Sequence, residues 1–114
     1  MAGTDYPNKD SYQAWVTDLQ LIATDAPSGH KIIRECLDIA EMLINKNISY
    51  VDSALSPIRI FAQSDNQEQI KIRIDDKINR IKNGSGFAGD NDIDDMIGYL
   101  ILLKIAKKLA ISVD

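Results

Sequence analysis

Four aspartates in two clusters are the residues of this sequence best suited to chemistry: Asp75 with Asp76, and Asp92 with Asp95. Residues three apart on a helix project from the same side, so the carboxylates of Asp92 and Asp95 can share one hard cation, with Tyr99 one turn further on. If the segments carrying the two clusters pack antiparallel, Asp75 or Asp76 meets Asp92 and Asp95 across a groove. Three or four carboxylates around Mg²⁺, with positions left for phosphate oxygens and water, are what metal-assisted cleavage of a phosphoanhydride requires. A plainer reading uses the same residues. Acidic side chains in a helix's first turn favour its dipole, and Arg73, Asp76, Lys77 and Arg80 stand at the spacings of surface ion pairs.

The elements that must position these side chains are helical. Trp15, Leu19, Ile22 and Ala23 form one apolar stripe, which predicts a helix from residue 10 or 11 to 24, ended by the Asp25-Ala26-Pro27-Ser28-Gly29 run. A second helix is predicted over 28–47, with Ile33, Cys36, Leu37, Ala40, Leu43 and Ile44 inward and Arg34, Glu35, Asp38 and Glu41 outward. The polar stretch after it reads as an ordered loop with a short helical turn at 58–62. Ile70-Lys71-Ile72-Arg73-Ile74 alternates as a strand would, but Ile70, Ile74, Ile78 and Ile81 step by four, four and three, which predicts a helix over 67–82 with Ile72 off its stripe. Asn83-Gly84-Ser85-Gly86 ends that helix. The last helix is predicted over 90–110, apolar nearly all round between Met96 and Leu103, as in a helix covered on most sides or shared with a second subunit. Gly98 in its middle points to close approach by another helix.

The expected architecture is therefore all-α, a compact bundle of four or five helices, with a loose tail over residues 1–10 and one helical domain over 11–114. A chain of 114 residues has room for one core, and 45% apolar with 26% charged residues is ordinary globular composition. The net charge of −4 argues against general nucleic-acid binding, which needs a surplus of Lys and Arg on one face. It leaves a free nucleotide open, since Mg²⁺ can bridge carboxylates to phosphates. Cys36, the sole cysteine, offers no disulfide framework and reads as a small buried side chain; His30, the sole histidine, leaves no His-based zinc cluster within one chain. No segment reads as a secretory signal, and the longest apolar run is too short to cross a bilayer, so the expected location is the cytoplasm. Gly84-Ser85-Gly86 lacks the lysine and preceding strand of a phosphate-cradling loop.

Three motifs in order carry a family resemblance: Lys46-Asn47-x-x-Tyr50-x-Asp52-Ser53-Ala54, Arg73-Ile74-Asp75-Asp76-Lys77-x-x-Arg80-Ile81, and Asp92-x-x-Asp95-x-x-Gly98-Tyr99-Leu100 with Leu102-Leu103. Together, across residues 41–105, they resemble the phage and bacterial family called nucleotide modification associated domain type one. That family in turn looks like a branch of the all-helical MazG-type nucleoside triphosphate pyrophosphatases. The resemblance implies that carboxylates on adjacent helices, here Asp75, Asp76, Asp92 and Asp95, hold Mg²⁺ while water attacks a nucleoside triphosphate, releasing monophosphate and pyrophosphate. It further implies that Arg73, Lys77 and Arg80 neutralise phosphate charge, that Tyr50 stacks on the base, and that Lys46, Asn47, Asp52, Ser53 and Tyr99 complete the nucleotide site.

Two departures accompany the likeness. Asn79 stands where the MazG pattern has a second acidic residue, with Glu41 as the available substitute. Val51 stands where the family shows glycine, and a glycine there signals positive φ or close backbone approach. The expected partners are a nucleotide and a second copy of the chain, through the last helix. The rival reading is a non-catalytic phage protein that sequesters a nucleotide signal or blocks a host defence protein; an accessory subunit beside base-modifying enzymes is a third.

Overall fold

The computed structural model describes residues 9–57, 65–84 and 91–112. Within them the chain forms four α-helices and no strand: α1 Lys9–Ala23, α2 Gly29–Ser49, α3 Asn66–Asn83 and α4 Asp92–Ser112. The all-α expectation holds, and the alternating isoleucines of α3 are helical, as their longer period requires. α1 begins at Lys9, slightly ahead of the cap expected at Asp10 or Ser11. Residues 1–8, the turn expected at 58–62 and most of the connector before α4 lie outside the described residues.

Local chemistry accounts for the helix ends. Asp65 caps α3, its carboxylate accepting from the Gln67 backbone N–H at 3.1 Å, and Gly84 closes the helix at φ 62°, the left-handed conformation that glycine adopts without a Cβ penalty. At α4 the Asn91 side-chain oxygen accepts from the Asp94 N–H at 3.1 Å, while its amide donates to the Asp94 carboxylate at 2.9 Å. That reciprocal cap starts the helix at Asp92 and leaves three acidic residues in its first turn, where the dipole favours them.

The C-terminus of α2 is the unusual one. The Asp52 N–H donates to the Asn47 carbonyl at 2.9 Å and the Val51 N–H to the Ile48 carbonyl at 3.3 Å. This six-to-one and five-to-two pattern normally ends on a left-handed glycine. Here the position is Val51 at φ 52°, followed by Asp52 at φ 60°.

Inter-helix contacts give the topology. Arg80 and Lys77 of α3 reach Asp92 and Asp95 near the start of α4, while Ile70, early in α3, packs with Leu102 and Ala106 late in α4, so the two helices run antiparallel. Lys46 of α2 bonds Asp95, and a Cβ on Gly98 would lie 3.3 Å from Leu43 Cδ1, so α2 crosses α4 in the opposite sense to its own chain direction as well. Gly98 marks the close helix approach that its place in the sequence suggested. The α1–α2 junction is tighter still, because a Cβ on Gly29 would stand 2.5 Å from the Ala23 carbonyl oxygen.

The core is small. Ile70, Leu102 and Ala106 are buried at its centre, with Leu43, Ala54, Leu55, Ile74, Tyr99 and Leu103 partly buried around them. Ala23 and Ile39 are buried apart from that cluster, and among the described residues no large side chain is fully enclosed. The expectation of a compact bundle is not met: the radius of gyration is 16.4 Å, against roughly 13 Å for a compact chain of this length. Cys36 is exposed rather than buried, and Leu37 and Ile44 of the expected inner face are exposed as well, while Ile39 is buried. The α2 sequence is apolar on more than one side; Gly29 packs on Ala23 of α1 and Leu43 on Gly98 of α4, and Ile39, off the expected stripe, is the residue that is buried. Much apolar surface stays in water, including Trp15, Leu19 and Ile22 of α1 and Ile93, Ile97 and Leu100 of α4. No helix among the described residues is long and apolar enough to cross a membrane.

Candidate functional site

A cavity of about 520 Å³ opens where α2, the turn after it, α3 and α4 meet. Its rim is polar: Lys46 and Asn47 from the last turns of α2, Tyr50 and Ser53 from the turn, Gln69 and Arg73 one helical turn apart on α3, Asp95 and Tyr99 on α4. The rest of its lining is apolar, formed by Met42, Leu43, Ala54, Ile70, Gly98 and Leu102 with the exposed Ile72. An apolar chamber with a few convergent polar groups is the usual build of a small-molecule site, and the volume falls within the usual range.

Seven residues singled out from the sequence line this one space: Lys46, Asn47, Tyr50, Ser53, Arg73, Asp95 and Tyr99. Tyr50 is 65% exposed at the mouth, which leaves its ring face accessible, whereas Tyr99 is half-buried against the core. Asp52 does not line the cavity. Its carboxylate accepts from the Asn47 amide at 2.7 Å and from Ser56 Oγ at 3.3 Å, so it closes the turn as a cap. The Asn66 amide ties the same segment to α3 by donating to the Leu55 carbonyl at 2.8 Å.

Beside the cavity the charged residues form a ladder across three helices. Lys46 Nζ lies 2.7 Å from Asp95 Oδ1, and Lys77 Nζ lies 3.2 Å from Asp95 Oδ2 and 3.5 Å from Asp92 Oδ1. Arg80 Nε completes it, 3.5 Å from Asp92 Oδ1. The three inner rungs are mostly buried: the side chains of Lys77, Asp92 and Asp95 are 13%, 13% and 16% exposed. Burial pushes the Asp95 carboxyl up, but the hydrogen bonds from Lys46 and Lys77 and their charges outweigh it and hold the group below its ordinary 3.8. The hydrogen bond to Asp95 raises the Lys46 ammonium above its ordinary 10.5 against an opposing effect of burial.

The four aspartates are not brought together. Asp75 and Asp76 are exposed on α3 and line no part of the cavity, and Glu41 is likewise exposed on α2. Asp92 and Asp95 are neighbours, but each already holds two cationic side chains of the chain itself. Among the described residues no three of His, Cys, Asp and Glu gather around one point. A donor set engaged in this way does not fit a resident Mg²⁺, because a divalent ion would displace, or sit beside, two ammonium groups and a guanidinium. Asp92 and Asp95 do share one side of α4, where both meet Lys77, and their other partners are Lys46 and Arg80.

Met42, Leu43, Gln69 and Ile72 are cavity residues that the sequence reading did not single out. Two signals were present. Ile72 fell off the α3 stripe, as a side chain serving a different wall does, and Gln69 precedes Arg73 by four, which puts both on one face. No protein-family model, curated protein or solved structure matches this chain.

Proposed function

We propose that the chain binds a nucleotide in the cavity between α2, α3 and α4, with the base against Tyr50 and the apolar wall and the phosphate toward Lys46 and Arg73. The observation that carries this reading is the joint lining of one space by an exposed tyrosine, amide side chains and two cations, on an otherwise apolar chamber. Aromatic stacking is tolerant of base identity, amides read polar edges, and an ammonium and a guanidinium take phosphate oxygens. The resemblance of the three sequence motifs to nucleotide-handling proteins supports the same ligand class. With Asp92 and Asp95 engaged by lysines, sequestration of the ligand is the form of the proposal that the geometry favours over turnover.

Assembly is the second part of the proposal. Ile93, Ile97 and Leu100 form an exposed stripe on α4 at helical spacing, on a chain whose own core is small. A second copy laid along α4 would cover it, as burial of apolar surface favours.

The test is a thermal-shift and calorimetric panel of nucleosides and nucleoside mono-, di- and triphosphates, with released pyrophosphate measured in Mg²⁺. Ligand binding to the folded state raises the melting temperature by mass action. Retention without turnover marks a nucleotide-binding protein; pyrophosphate release marks a hydrolase at the same site. A flat response to every nucleotide would refute the proposal. Light scattering on the eluting protein reads the assembly, with Ile97→Glu expected to give a monomer.

A further inference from the structure

Resting on the nucleotide reading of the cavity, we infer that the site takes a nucleoside monophosphate directly on Lys46 and Arg73, with no divalent cation between phosphate and protein. The charges around the cavity decide this. Lys46, Arg73, Lys77 and Arg80 are four cations on or behind its rim, and Asp92 and Asp95 are the two carboxylates among them. On the lining itself the cations are Lys46, which shares Asp95 with Lys77, and Arg73. Asp75 and Asp76 stand exposed on α3, outside the cavity and solvated.

Both cations of the lining are placed where a ligand reaches them. Arg73 lines the cavity, is exposed, and makes no ion pair with any described residue. Lys46 is bonded to Asp95, yet Asp95 has a second ammonium in Lys77 at 3.2 Å, so Lys46 can turn to a phosphate without leaving a buried carboxylate bare. A guanidinium that forks onto two phosphate oxygens and a mobile ammonium opposite make a direct phosphate clamp. A metal ion entering the same space would meet those cations at short range, where repulsion is strong. A phosphate monoester carries about −1.5 to −2 at neutral pH, a charge that one ammonium and one guanidinium can meet. A triphosphate without Mg²⁺ brings more negative charge than the rim can balance.

Calorimetry on the full chain tests the inference, with the four common nucleosides, their monophosphates and triphosphates, and inorganic phosphate, each in EDTA and in Mg²⁺. The monophosphate is expected to bind with the same affinity in both, within about twofold, and at least about tenfold more tightly than its nucleoside or inorganic phosphate. Arg73→Gln should weaken it by about tenfold or more while leaving the thermal melt unchanged, since Arg73 makes no ion pair with any described residue; raising salt should weaken the wild type more than Arg73→Gln. Binding that appears only with Mg²⁺ overturns the inference and leaves the nucleotide reading standing. So does a triphosphate that binds more tightly than the monophosphate in EDTA, or an Arg73→Gln variant of full affinity. Silence toward all nucleotides in both buffers sinks both.

Discussion

Replacing Val51 by glycine should stabilise this protein, the reverse of what valine to glycine does at an ordinary exposed site. Val51 holds φ 52° and is 83% exposed. For an L-residue the left-handed region costs roughly 1–2 kcal/mol, and a β-branched side chain sits at the upper end. Glycine removes that cost. Against it stands the extra freedom that glycine gives the unfolded chain, about 0.4–1 kcal/mol. The isopropyl group is mostly in water, so its loss removes only a few tenths of a kcal/mol of burial. The balance is a gain of about 0.5–1 kcal/mol, or a rise of about 2–5 °C in melting temperature for a domain of this size. Urea denaturation followed by circular dichroism should show a higher midpoint at unchanged slope. Val51→Ala, which keeps a Cβ but loses the branch, should fall between the two. If glycine proves less stable than alanine, the turn does not hold residue 51 in the left-handed region, and the reasoning about this loop fails.

Other perturbations address the ladder and the helix junctions. Asp95→Asn should cost about 2 kcal/mol near neutral pH, from loss of charge-assisted hydrogen bonds to Lys46 and Lys77. Because the Asp95 carboxyl is held below 3.8, its contribution is present above that value and fades as pH falls through the lowered pKa. Because the Lys46 ammonium is held above 10.5, the pair is intact below that value and is lost as pH rises through the raised pKa. Wild-type and variant stabilities measured from pH 2 to 11 should therefore differ most in between and converge on the acid side; a constant difference would contradict the assignment. Gly29→Ala should cost about 1–3 kcal/mol and release α1 to proteolysis, because the new Cβ meets Ala23 backbone that no rotamer change can move. Gly98→Ala should be near neutral, since its Cβ meets only the ends of Leu43 and Met42 and gains helix propensity, whereas Gly98→Val should loosen α2 from α4 and narrow the cavity in the same melt and binding assays.

The parts of this structure that could be read from the sequence were those with a local cause. The step of Ile70, Ile74, Ile78 and Ile81 marked α3, Gly84 marked its end, and Gly98 marked a close approach, because each reflects a rule acting within a turn or two of chain. Which face of a helix is buried was less legible. Ile70 is buried, but Ile78 and Ile81 at the other end of the same stripe are exposed, because the α3–α4 contact near Asp92 is made by charged residues rather than apolar ones. Cys36 illustrates the same limit on α2. Lys46 lies 49 residues from Asp95, a pairing that no spacing rule reaches, and it is what turns an apparent metal pair into a cationic rim. The chemistry-bearing residues were therefore recognisable by type while their partners were not.

The strained turn and the ladder bear on the same question, how the cavity keeps its shape before a ligand arrives. A left-handed valine persists only where the surrounding structure determines it more strongly than its own preference does. Here the Asn47 carbonyl takes the Asp52 N–H, the Asn47 amide donates to the Asp52 carboxylate, and Asn66 anchors the turn to α3 through Leu55. Those bonds fix Asn47 and Tyr50 on one side of the mouth, while Lys77, bridging Asp92 and Asp95, fixes the α3–α4 side. The two sides are held by two sets of bonds that Lys46 links, since it belongs to the helix of the first and bonds the carboxylate of the second. A ligand that draws Lys46 away from Asp95 thus changes one contact and leaves both frames standing, so it meets a mouth already ordered and gives up little binding free energy to order it.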